Sequence, residues 1–336
     1  MISRALGVAA MVAAALLLPV ANASGSEFAP VEAAGPALSV PADLLAASLR
    51  CTADVSHASR APVLLLAGTA IDSANNFGWN WEPALTKARI PWCTSDIPDG
   101  GPGFHNNGDE QTRAEYITYA IRTMYAMAGR KVSIMGHSQG GSVMRWSLRF
   151  WPDTRPMVDD VIGIAPDNHG AAVADVLCAV SCLPAHWQIR PDSRFKAALN
   201  SGQETFPGIS YTTIRSDEDE LVIPHASSKL SGPAAIANLR VQDKCPLHLA
   251  DHVTIGTTDP VAEAYAMDAL NNPGPAKLSR ISPQVCFKVF MSGVDPLTAA
   301  TDLASSLVVL ATNALDPQVS AEPPLRCYAL AAGCGL

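Results

Sequence analysis

The sequence predicts an α/β fold, a mostly parallel central sheet with helices on both faces. Three observations lead there. Strand-like runs alternate with longer helical segments at the spacing of strand–helix–strand units. The runs at 61–67 and 161–165 are continuously apolar, or nearly so, as strands buried on both faces require. A further run, 131–135, leads into the tight Gly136-His-Ser-Gln-Gly140 turn, and that turn opens directly into a helical pattern.

The elements follow in order. The first 23 residues carry one charge, Arg4, then a small and apolar run from 5 to 21, and end in Ala21-Asn-Ala23. This reads as a secretory signal peptide cut before Ser24. The run is short for a membrane span and contains Pro19, and no second segment is long enough to cross a bilayer, so no integral membrane segment is expected. Residues 24–40, rich in Ala, Pro, Gly and Ser, read as an extended arm or a pro-segment, and 41–336 as a single domain. Pro41 opens a helix over 42–49. The strand at 61–67 delivers Gly68 and Thr69 to a loop. A strand near 90–93 follows, then a helix over 112–127 with Tyr116, Ile117, Ala120, Ile121 and Met124 on one face, and the strand at 131–135. Strands at 161–165 and 210–214 flank a long insertion, whose apolar stretch around 170–190 is expected to form a lid or rim. An Ala/Leu/Val-rich helix over 296–315 precedes a proline-containing tail, 317–324.

Composition narrows the function classes. The chain's formal charge is −8, which argues against a nucleic-acid partner. Charged residues make up 16% against a typical quarter or so, and hydrophobic ones 48%, which suits one large, well-filled core. Eight cysteines all lie beyond the signal segment, and an even count in an exported chain implies disulfides. A zinc site from Cys245, His248 and His252 lacks the paired Cys clusters or His-Glu-x-x-His pattern that would support it, so neither metal nor organic cofactor is expected.

The chemistry gathers around Ser138. A serine hydroxyl is a poor nucleophile at neutral pH and needs an imidazole to take its proton and amide donors for the oxyanion that forms. Gly136 and Gly140 let the chain turn sharply from strand to helix while Ser138 projects at the apex. Scaffolds with this elbow supply the remaining partners in the order Ser, Asp or Glu, His. Asp219 lies in the acidic loop after the strand at 210–214, with Asp217, Glu218 and Glu220 as local rivals. Downstream histidines are His225, His248 and His252. His225 follows Asp219 too closely to fold back onto it, and His252 sits in a loop-like stretch, so His252 is favoured as base. The oxyanion hole is expected from the main-chain N–H of Gln139 and from Thr69, which offers an N–H and a hydroxyl.

These residues resemble the secreted lipase family typified by Candida antarctica lipase B. The resemblance covers the chain from about residue 41 onwards and rests on Pro62-Val-Leu-Leu-Leu-Ala-Gly-Thr69, the Ser138-Gln-Gly140 elbow, Ile164-Ala-Pro-Asp167, Asp219-Glu-Leu-Val222 and Asp251-His252. It implies an α/β-hydrolase fold, adds support to Asp219 and His252 as triad members, and puts Thr69 and Gln139 at the oxyanion positions. It makes Asp167 a supporting residue behind the elbow. It also implies disulfides Cys51–Cys93, Cys245–Cys286 and Cys327–Cys334, which leaves Cys178 and Cys182 to pair with each other. Ala67 replaces the family's proline before Gly-Thr, and His137 replaces a tryptophan that floors the alcohol side of the substrate pocket. His137 and Leu221 are accordingly expected to line that pocket. The function expected is a secreted, monomeric serine ester hydrolase, a lipase acting on an ester or lipid substrate at or near a lipid–water interface. A secreted acyltransferase, a polyester hydrolase or a binding protein on a retired scaffold are the alternatives.

Overall fold

Among the described residues, seven strands form one sheet in the order β1-β3-β2-β4-β5-β6-β7. They are β1 (Leu49–Cys51), β2 (Val63–Leu66), β3 (Trp92–Ser95), β4 (Val132–His137), β5 (Val158–Ile164), β6 (Ser210–Arg215) and β7 (Ala235–Arg240). All neighbours are parallel except β1, which lies antiparallel on β3 with Cys51 opposite Cys93, so their disulfide crosses that edge pair. The computed structural model describes residues 27–99, 101 and 104–334. The expected signal peptide, 1–23, and the start of the arm lie outside the described residues.

Every residue of β2 and β4 is buried, because helices cover both faces. Side chains alternate between the faces: Val63 and Leu65 enter one apolar cluster with Met135 and Ile162, while Leu64 and Leu66 enter another with Ile134 and Val161. The helices along the chain are α1 (Ala42–Ser48), α2 (Ser73–Phe77), α3 (Trp81–Lys87), α4 (Glu110–Ala128), α5 (Gln139–Phe150), α6 (Val173–Leu177), α7 (Pro184–Ile189) and α8 (Arg194–Leu199). They continue with α9 (Val241–Lys244), α10 (His252–Thr257), α11 (Pro260–Asn271) and α12 (Ala299–Asn313). α3 and α11 close the first face with Trp81, Leu85, Val261 and Tyr265, and α4 and α5 the second with Ile117, Ile121, Met144 and Trp146.

Several boundaries differ from the sequence reading for local reasons. The helix expected over 42–49 stops at Ser48 because Leu49 pairs with Ser95 in β1. β3 begins two residues later than expected, after Pro91, which has no amide to give a ladder. α4 begins at Glu110, capped by Asp109, whose carboxylate accepts from the Gln111 amide, and ends at Gly129 with φ 61°. The arm is extended and packed: Ser39 and Val40 bond Glu115 of α4, and Arg149 of α5 donates to the Ala29 carbonyl at 2.5 Å.

Candidate active site

β4 ends by delivering Ser138 to the head of α5. Its backbone is at φ 54°, a left-handed conformation unusual for a residue with a side chain. The turn closes only because its neighbours lack a Cβ. An atom added at Gly136 would lie 2.3 Å from the Gly140 carbonyl, and one at Gly140 would lie 2.1 Å from the Leu66 carbonyl.

Ser138 Oγ faces His252 Nε2 at 2.9 Å, and His252 Nδ1 faces both oxygens of Asp219 at 2.9 and 3.0 Å. All three contacts join residues more than thirty positions apart in the chain. Sequence logic accounts for each placement. Asp251 caps α10 and so fixes His252 as its first residue, and the Glu220 carboxylate accepts from the His252 amide at 3.1 Å. Asp219 follows β6 and accepts from the Leu221 and Val222 amides at 2.9 and 2.8 Å. Burial opposes its ionisation, but the His252 ring and these amides together hold its carboxyl below the ordinary range.

None of the rival carboxylates bonds the His252 ring, whose Nδ1 meets Asp219. Asp217 pairs with Arg240 at 2.8 Å, and His248 pairs with Asp259 at the start of α11. His225 does reach Asp219, but at its main-chain carbonyl, 2.8 Å from Nε2. Cys245 is joined to Cys286, and the other disulfides are Cys178–Cys182 and Cys327–Cys334.

Thr69 follows β2, and its buried hydroxyl has no hydrogen-bond partner among the described residues. Gln139 is the first residue of α5, where an amide has no acceptor within the helix. His137, buried beneath these groups, has its Nε2 2.9 Å from the His252 carbonyl, and its ring is held against Gly256 so tightly that a Cβ there would come within 2.4 Å. Burial, reinforced by the neighbouring His252, pushes His137 down to about 3.

Lipase B of Pseudozyma antarctica is 29% identical over 304 residues, spanning 88% of this chain and 86% of that protein. The crystal structure of Aspergillus fumigatus lipase B superposes with a TM-score of 0.80 at 30% identity, covering 89% of this chain and 75% of that one. The chain belongs to the lipase B-like family. No family model matches it. A Bacillus licheniformis lipase in its pro-peptide form, at 17% identity and a TM-score of 0.53, shares the fold alone. The fold is that of the α/β-hydrolases.

In this lipase B-like chain, a cavity of about 240 Å³ opens over Ser138. Thr69, His137, Asp167 and His252 give it polar points, and Ile71, Leu177, Ile189, Val222 and Leu310 an apolar wall. Leu221 stands on the rim, partly exposed. Asp167 both lines the cavity and pairs with the buried Lys196 at 3.0 Å. α6 and α7, from the insertion around 170–190, contribute Ala174, Leu177, His186 and Ile189. Among the described residues no group of three metal-ligating side chains gathers, and no helix is long and apolar enough to cross a membrane.

The sequence reading did not single out the polar residues beneath the cavity. Arg113, Asn106 and Asn76 are buried around the Ala67–Thr69 loop. Glu110, also fully buried, is pushed up to about 8 by its burial. An arginine and a glutamate in a helix ordinarily read as solvated, and no local pattern marks these as interior.

Proposed function

We propose that the protein is a carboxylic ester hydrolase of the lipase type, working through an acyl-enzyme on Ser138. The observation that carries this is the single line of contacts from Asp219 through His252 to Ser138 at the floor of an apolar cavity. His252 takes the Ser138 proton as Oγ attacks the ester carbonyl and returns it to the leaving alcohol. Asp219 holds the Nδ1–H tautomer and offsets the positive charge that forms on the ring. Thr69 and the Gln139 amide receive the oxyanion. A water, activated by the same imidazole, then releases the acid. The names of the lipase B relatives support an ester or lipid as substrate. The apolar wall suits an acyl chain, and the exposed Val176, Leu177 and Val180 beside the mouth suit contact with a lipid surface. The signal-like first 23 residues and four disulfides support export, and the chain is read as a monomer with one catalytic domain.

Rates on p-nitrophenyl esters of graded chain length and on emulsified triglyceride test the reading. The parent should hydrolyse both classes, and a folded Ser138→Ala should hydrolyse neither. Undiminished hydrolysis by Ser138→Ala would remove the acyl-enzyme.

A further inference from the structure

Taking Ser138 as the nucleophile, the two oxyanion donors come from separate segments: the loop after β2 carries Thr69, and the elbow after β4 carries Gln139. Their spacing must be held closely, since an error of about 1 Å in such a site can cost on the order of a hundredfold in rate. We infer that Arg113 sets this spacing from behind the hole, as a positioning residue.

Arg113 projects from the first turns of α4 and is buried. One arm of its guanidinium, Nη2, donates to the Ala67 carbonyl at 2.5 Å, and the other, Nη1, donates to Gln139 Oε1. The Gln139 side chain passes the tether on, its Nε2 donating to the Asn106 carbonyl at 3.2 Å. Asn106 Nδ2 then donates to the carbonyls of Gly68, at 3.2 Å, and Ile71, at 2.7 Å. The chain of bonds closes on the loop where it began.

Peptide planarity turns these tethers into orientation. The Gly68 carbonyl and the Thr69 N–H share one rigid plane, so fixing the first aims the second. The plane before it is held at both ends, by Arg113 on the Ala67 carbonyl and by Asn76 Oδ1, which accepts from the Gly68 amide at 3.0 Å. Gln139 is gripped by its side chain, leaving its main-chain amide to the substrate. Only a forked, planar donor reaches acceptors on both segments at once; a lysine ammonium is a single compact head. Burial pulls Arg113 down to about 10, so it keeps its charge at neutral pH.

The test is Arg113→Lys, with the unfolding temperature measured first to establish a folded protein. Steady-state rates are then compared for an ester and for its thionoester, in which sulfur, a weak acceptor, replaces the carbonyl oxygen and gains less from the hole. Expected are a kcat for the ester lowered about 10- to 100-fold, KM within about twofold, and an ester-to-thionoester rate ratio lowered about tenfold. Parental kcat, or an equal loss on both substrates, would overturn the role. If Arg113→Lys does not fold, Gln139→Met carries the same test, because it removes the shared acceptor and keeps the main-chain amide. Ser138→Ala runs alongside. Activity surviving in it defeats the reading of the site itself, whereas an inactive Ser138→Ala beside a fully active Arg113→Lys defeats only the role of Arg113.

Discussion

The ring of His137 donates from Nε2 to the main-chain carbonyl of His252 at 2.9 Å, tying the residue before Ser138 to the backbone of the histidine that faces it. His137 is neutral at ordinary pH, since burial pushes it down to about 3. A neutral imidazole carries one proton, and the bond to a carbonyl puts it on Nε2. The elbow and the head of α10 are therefore coupled by one hydrogen bond and by the packing of the ring on Gly256.

Replacing His137 by Phe keeps the ring and deletes the bond. At pH 7 the variant should be less stable by about 1 kcal/mol. Acid should reverse the order. The folded pKa lies below the unfolded value of 6.5, so the stability tied to neutral His137 is present above that value and lost as pH falls towards 3. Phe does not titrate. Urea midpoints at pH 7 and pH 4 should show the gap closing and changing sign, and a gap independent of pH would contradict the assignment.

His137→Trp addresses selectivity. The indole cannot grow towards α10, because the ring already presses on Gly256, so it must grow into the cavity. The alcohol side should narrow, and discrimination between the enantiomers of 1-phenylethyl acetate should rise, each methylene-sized clash contributing about 1–3 kcal/mol. An unchanged ratio would show that this position does not shape the pocket.

The Cys178–Cys182 disulfide sits where α6 ends, at Leu177, and beside a two-way main-chain pairing of Cys182 with Val319 of the tail. Closing so short a loop stabilises by no more than about 2 kcal/mol in the chain-entropy account. Its larger effect is on the exposed Val176 and Val180, the first next in the chain to the cavity-lining Leu177 and the second inside the disulfide loop. Cys178→Ser/Cys182→Ser should lower the rate on emulsified triglyceride more than the rate on a soluble short-chain ester. Equal losses would count against a rim that meets lipid.

Glu110 gives an alkaline signature. Its folded pKa of about 8 lies above the ordinary value of 4.5, so its contribution favours folding below about 4.5 and is lost as pH rises through 8. Glu110→Gln cannot acquire that buried charge. Between pH 4 and pH 9 the variant should gain on the parent by an amount on the order of a few kcal/mol, read from urea midpoints. A constant difference would mean that Glu110 is not buried as a neutral acid.

The sheet centre was legible because β2 is apolar along its length and β4 and β5 each carry an apolar run, although Asp159 and Asp160 hid the start of β5, and the elbow because its two glycines are required by contact with backbone on both sides. β7 escaped because Ala-Ile-Ala-Asn-Leu-Arg is a half-exposed edge strand with no strong alternation. α11 also escaped, although Asp259 with Pro260 is a recognisable helix start. That Asp219 and His252 meet could be anticipated from chain order and from the strand before Asp219, although the stretch holding His252 reads as a loop where Asp251 in fact caps α10. Arg113, Gln139 and Asn106 could not be grouped. They lie 26 and 33 positions apart in the pairs that bond, and they meet where β2 and β4 lie side by side.

The most direct measurement is stoichiometric labelling with a p-nitrophenyl alkylphosphonate, followed by peptide mass spectrometry. One phosphonyl group per chain should appear on Ser138, with ester hydrolysis lost in proportion to labelling and no label on Ser138→Ala. A label on another serine, or full activity in protein carrying the label at Ser138, would contradict the account.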